Sequence, residues 1–201
     1  MKKLLLLLMI LNFSCSTKTK ESINEFDLTN LQMLEFLNKN IYLPKTYKAT
    51  TIEDFINAHK VNRKTDSFQT IQNAKLYERK RNGVKFEIFC EKSNLKNSII
   101  FQLGKYTPLD KSLVSPYVNV LEKSVLSEWT KYGITYERLE SKFITSKNTK
   151  SIKIKYRINT DGKNTFMTQY LVTYKFNTFS IVVTNEKNND YQFVLKNFAT
   201  Y

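Results

Sequence analysis

The chain reads as an α+β domain, an antiparallel β-sheet of about six strands covered by helices. Three observations predict this class. Asn82-Gly83 and Asp161-Gly162 are two-residue turn signals flanked by alternating apolar residues, the pattern of antiparallel hairpins. Between them, residues 115–133 carry an apolar stripe at helical period. Helices thus fall at a few breaks between runs of short, hairpin-joined strands.

In chain order, the first segment is not part of that domain. Lys2 and Lys3 precede an unbroken apolar run over 4–11, then Asn12-Phe13-Ser14, Cys15 and an abruptly polar stretch. A basic start, a short apolar middle and a small residue at the junction make a secretory signal. The run is far short of the ~20 residues that cross a bilayer as a helix. Ser14-Cys15 resembles the lipobox of bacterial lipoproteins, with Asn12 where that motif favours Leu. The resemblance implies that Cys15 becomes a lipidated N-terminus, and two or more acyl chains anchor stably where one does not. Ordinary secretion, with cleavage after Ser16, is the alternative. Ser16 also lacks the aspartate that retains such proteins at the inner membrane, which favours the outer membrane. The expected organisation is a signal over 1–14, a flexible tether over 15–25 and one globular domain over 26–201.

Within the domain, Thr29-Asn30 can cap a short helix carrying Leu31, Leu34 and Leu37. Ile41-Tyr42-Leu43 is strand-like. Thr50 and Glu53 have the spacing of a capping box, opening a helix with Ile52, Phe55, Ile56 and His59 on one face. A hairpin at Asn82-Gly83 then joins strands over 76–81 and 84–91, and turns near 93–97 lead into a third strand over 99–103. Ser115 and Pro116 start the long helix and Gly133 stops it, with Val118, Leu121, Val125, Trp129 and Tyr132 along its stripe. Last comes a meander. Ile152, Ile154, Tyr156 and Ile158 alternate with Lys153, Lys155 and Arg157, followed by strands over 166–176 and 179–184. A closing helix, capped by Asn189 or Asp190, places Tyr191, Val194, Leu195 and Phe198 together.

This order, ending in a Tyr/Phe-rich hairpin over 170–183 and a short helix closing on Lys196-Asn197-Phe198, resembles the PsbP-like fold. That fold occurs in photosystem oxygen-evolving subunits, a nuclear-transport factor and bacterial lipoproteins such as DcrB. The resemblance covers roughly 41–198. It implies an α/β/α sandwich and a non-catalytic protein that binds or assembles with others, and it supplies no catalytic residue.

The chemistry-bearing residues are few. Four glycines, Gly83, Gly104, Gly133 and Gly162, stand apart, so none builds a phosphate-cradling loop. His59 is the single histidine and reads as a helix-end packing residue; zinc sites are usually built from several His and Cys ligands. With Cys15 lipidated, Cys90 is alone and reads as a buried, inert thiol on a strand. No metal and no cofactor are expected. Glu137 with Glu140, Glu87 with Glu91, and Glu186 with Asp190 are the carboxylate pairs a hydrolase could use, though Lys and Arg are their simpler partners. The net charge is +14, or +12 once Lys2 and Lys3 leave with the signal. Export argues against nucleic acid as the partner of that charge.

The remaining reading is a binding or assembly module at the cell envelope. If Asp161-Gly162 sets an even loop, Tyr156 pairs with Met167 and Ile152 with Leu171. Lys153, Lys155 and Arg157 then share a sheet face with Phe166, Tyr170 and Val172. With no carboxylate obviously near, that face is expected to stay partly open and to dock an acidic or glycan-bearing envelope partner. Capture of a small lipid or sugar between sheet and long helix, in a pocket lined by Trp129, is the alternative.

Overall fold

The computed structural model describes residues 30–60 and 67–199, so Cys15, the signal and the tether lie outside the described residues. The class is α+β as expected, with one strand more than anticipated in the main sheet and a separate small hairpin. Seven antiparallel strands lie in the order β3-β4-β5-β9-β8-β7-β6: β3 (Tyr47–Thr50), β4 (Phe86–Glu91), β5 (Asn94–Gly104), β6 (Thr135–Thr145), β7 (Thr149–Thr160), β8 (Lys163–Tyr174) and β9 (Asn177–Asn185). β1 (Leu31–Leu34) and β2 (Lys39–Tyr42) pair only with each other.

Because side chains alternate across a strand, the sheet has two apolar faces. One carries Phe89, Phe101, Tyr170, Val172, Phe179 and Ile181, closed by the β1–β2 hairpin and a terminal 3-10 helix (Gln192–Phe198). The other carries Ile152, Ile154, Tyr156, Ile158 and Met167 under α3 (Val114–Leu121) and α4 (Ser127–Thr130). Its flank, with Ile88, Cys90 and Ile100, lies under α1 (Ile52–Lys60) and α2 (Ser67–Arg81).

Four sequence expectations are corrected. The expected helix with Leu31, Leu34 and Leu37 is instead the first strand and turn of a hairpin, whose second strand holds the strand-like Ile41-Tyr42; Asn38 takes the left-handed turn position (φ 48°) and Leu31 remains largely exposed. The box at α1 lies one residue later, with Thr51 Oγ1 accepting from the Asp54 N–H at 3.0 Å. Residues 76–81 are the end of α2, not a strand. Gly83 (φ 72°) is its left-handed stop, with Val84 N–H on Arg79 O and Gly83 N–H on Lys80 O, both at 3.0 Å. An Asn-Gly that ends a helix and one that turns a hairpin make the same demand for positive φ, and the sequence alone does not separate them.

The fourth correction bears on function. The long helix is interrupted by a π turn (Glu122–Leu126) between α3 and α4. In a regular α-helix residues five apart point in different directions, but the wider π turn brings Leu121 and Leu126 onto the same side. Burial therefore follows Val118, Leu121, Leu126 and Trp129, and Tyr132 is 61 % exposed. The side chains of Val125 and His59 lie outside the described residues. Ser124 and Ser127, whose hydroxyls bond the carbonyls four residues back (Val120 and Lys123), supply a local cause for the distortion.

Candidate functional site

The β7–β8 register is the one the Asp161-Gly162 turn implies: Ile152 pairs with Leu171, Lys153 with Tyr170, Tyr156 with Met167 and Arg157 with Phe166. The open face expected from that register is absent. Tyr170 is 1 % and Lys153 2 % exposed. Lys153 Nζ lies 2.6 Å from Glu140 and 2.6 Å from Asp190, while Tyr170 donates to the Asp190 carbonyl at 2.9 Å. Lys155, half-buried, donates to Asn188 O at 3.0 Å. Arg157 is exposed and paired with Glu137; Phe166 is half-buried.

The carboxylates come from β6, through Glu140, and from Asp190, which accepts the Gln192 N–H just before the terminal helix whose N-cap is Tyr191. Burial alone would raise Asp190, but the hydrogen bond from Lys153 holds it below the ordinary carboxylate range. The same holds for Glu140, between Lys142 and Lys153. Burial pulls Lys153 down, and its two carboxylates outweigh it, leaving the ammonium above its usual value.

The other candidates separate in the same way. Glu137 faces Arg157, Glu140 faces Lys142 and Lys153, Glu186 accepts from Asn94 at 3.0 Å, and Glu91 accepts from Asn97. Glu87, with its pKa raised by burial, takes the Phe36 N–H at 3.4 Å. These carboxylates therefore already have cations, amides or backbone N–H groups for partners. Cys90 is 1 % exposed, and burial pushes its thiol up to about 12, well away from nucleophilic range. Among the described residues no cluster of three His, Cys, Asp or Glu could hold a metal.

What the helix-covered face does hold is a pocket of about 220 Å³. Its floor is β8 and β9, through Met167, Gln169, Leu171 and Val182. Its roof is the distorted helix, through Tyr117, Leu121, Leu126 and Trp129. The π turn is what brings Leu126 to this roof beside Leu121. The third wall is α2. Gln72, Lys75 and Arg79 stand three, then four residues apart, the spacing that keeps side chains on one helix face.

The pocket combines apolar bulk with a few directed polar groups, the usual composition of a small-molecule site. Arg79 Nη1 donates to Gln102 Oε1 at 2.7 Å. Among the described residues no carboxylate lies within ion-pair reach of its guanidinium, and burial lowers its pKa, opposed by Tyr117 and Glu78. Gln169 donates to the Tyr117 hydroxyl at 2.7 Å, which leaves that hydroxyl its own proton to give. Lys75 is paired with Glu128 at 3.2 Å on the outer rim. A wider groove of about 870 Å³ runs between the β1–β2 hairpin and the β3–β4 edge, open to solvent and without a buried cation. Trp129 was singled out by its place on the long helix. Arg79 does not stand out, because Asn82-Gly83 reads as a hairpin turn with 76–81 as its first strand.

No family model matches the chain, and no curated protein matches it. The fold has a solved counterpart. The chain is similar to the solution structure of cyanobacterial PsbP (CyanoP) from Synechocystis sp. PCC 6803, with a TM-score of 0.53 and 10 % identity. The match covers 87 % of this chain and 94 % of that one. At that identity the likeness concerns fold alone.

Proposed function

We propose that this chain is a non-catalytic binding protein of the bacterial cell envelope, lipid-anchored through Cys15 at the outer membrane. Its binding site is the pocket between α2, the π-turn helix and the sheet. The observation that carries this is the pairing, in one cavity, of a half-buried guanidinium hydrogen-bonded to an amide, with no ion pair to a carboxylate among the described residues, and an aromatic wall built from Trp129 and Tyr117. The ligand class that matches is a small molecule with an apolar ring or short chain and an anionic or strongly polar group for Arg79. A cavity of about 220 Å³ suits a small molecule. Docking of a macromolecule on Lys153, Lys155 and Tyr170 is set aside, because that face is closed by the protein's own carboxylates. The likeness to CyanoP agrees with a non-catalytic role as an analogy of fold.

Two measurements test the two halves of this proposal. Metabolic labelling with an acyl probe should give a signal that Cys15→Ala abolishes; labelling independent of Cys15 contradicts the anchor. Thermal melting of the mature chain should rise with benzoate, phenyl phosphate or octanoate and not with benzyl alcohol. A ligand at a hundred times its Kd adds about 2.7 kcal/mol. For a chain of this size that is roughly 5–10 °C. Equal response to the neutral alcohol contradicts the role given to Arg79.

A further inference from the structure

The geometry points to a second contact, independent of the pocket: the end of the sheet that carries the β8–β9 turn is a surface for an anionic lipid bilayer. Phe176 sits at the tip of that two-residue turn and is 86 % exposed, more than any other large apolar side chain among the described residues. The fold gains little from it there. The first position of this turn takes a positive φ, which Gly, Asn or Asp accepts most readily, as Asp161 does in the same meander, yet here Lys175 takes it (53°) and Phe176 beside it points to solvent. Residues that suit neither the turn nor the core are placed for something outside the molecule.

What surrounds the ring identifies the partner. Lys175 and Lys39 hold their ammonium groups 5.4 and 5.5 Å from the Tyr174 ring, on one flank of the tip. On the other flank, Gly104 pairs with Thr178, and the Thr107 N–H donates to Thr178 Oγ1 at 2.9 Å. This carries exposed Lys105 and Tyr106 past the same turn. Exposed Lys150 pairs with Thr173 one strand away. Asp110 is an acidic side chain beside this group; it accepts from the Ser112 N–H and lies near Lys150. An apolar ring ahead of a collar of long cationic side chains fits a headgroup layer, with the ring in the acyl boundary and the ammonium groups at the phosphates. Nucleic acid offers no layer for the ring to enter. A second copy of a chain carrying +14 brings the wrong sign of charge.

The test is co-sedimentation of the mature chain, with Cys15→Ser so that no acyl chain contributes, on two kinds of vesicle. We expect binding to phosphatidylglycerol–phosphatidylcholine vesicles, weakened by salt, and little to pure phosphatidylcholine. Phe176→Ser should lower the partition coefficient about tenfold or more, the scale set by burying one Phe ring. Lys175→Glu should lower it further while melting is unchanged. Undiminished binding by Phe176→Ser overturns the proposal, and so does equal binding to neutral vesicles. A Phe176-dependent dimer that ignores vesicles would assign the tip to self-association instead.

Discussion

Each face of the sheet takes in a basic side chain, and the two are treated in opposite ways. On the face closed by the terminal helix, Lys153 meets Glu140 and Asp190, each at 2.6 Å, with Tyr170 tied to the same loop. On the helix-covered face, Arg79 meets the Gln102 amide at 2.7 Å and borders a cavity. Removing a charge from water is costly unless partners compensate it. Lys153 is compensated from within the chain, so it is an internal fastening. Arg79 is only half-withdrawn from solvent and keeps donors directed toward the pocket side of α2. The contrast is one of surroundings: Lys153, which the sequence offers as a binding residue, is held by internal carboxylates, whereas Arg79 lines the pocket proposed as the site.

The largest expected effect comes from breaking the internal fastening. Lys153→Ala leaves two half-buried carboxylates, 30 % and 29 % exposed, without the buried cation between them, a change of up to about 3–5 kcal/mol. That corresponds to roughly 6–20 °C in Tm, measurable by circular dichroism. The reversal Lys153→Glu with Lys155→Glu should prevent folding rather than merely abolish a contact. A sharper version adds Glu140→Gln and Asp190→Asn to Lys153→Met, which should recover most of the loss. Melting of Lys153→Ala at the parent temperature would show that the pair is not part of the core.

A smaller effect follows from titration. Asp190 and Glu140 have folded pKa values below the ordinary range, so their contribution is present above about pH 4 and lost as pH falls through the folded values. Lys153, held above its ordinary value, contributes below about pH 10 and loses that contribution as pH rises past its folded pKa. Urea unfolding between about pH 5 and 2 should therefore weaken more steeply in the parent than in the Lys153→Met, Glu140→Gln, Asp190→Asn variant. Parallel profiles would contradict the assignment.

Much of this arrangement could be read from the residues, and the exceptions share a cause. The β7–β8 register was legible because Asp161-Gly162 admits one tight turn and the isoleucines alternate strictly. Cys90 was legible from its place among Ile88 and Phe86. The closing of the Lys153 face was not, because its carboxylates arrive from β6 and from Asp190, far along the chain. α2 was missed because it turns little apolar surface inward, with Leu76 its one fully buried side chain among those described. The π turn is not legible because sequence periodicity assumes one helical repeat throughout, while burial steps five residues from Leu121 to Leu126 where a regular helix steps three or four. The pocket depends on both of these, so its wall was invisible even though Trp129 was not.

The pocket itself is tested most directly by the fluorescence of Trp129, the chain's single tryptophan, which stands in its roof. Arg79→Gln should alter stability by less than about 1.5 kcal/mol, the scale of one hydrogen bond. Titrating phenyl phosphate into the parent should give a saturable change in Trp129 emission. Arg79→Gln should shift that curve at least about tenfold to weaker binding while melting almost where the parent does, since hydrogen bonds to charged groups contribute about 1.5–3 kcal/mol. Superimposable curves for parent and variant would contradict the claim that this is the binding site, and so would an emission that stays constant while calorimetry records binding.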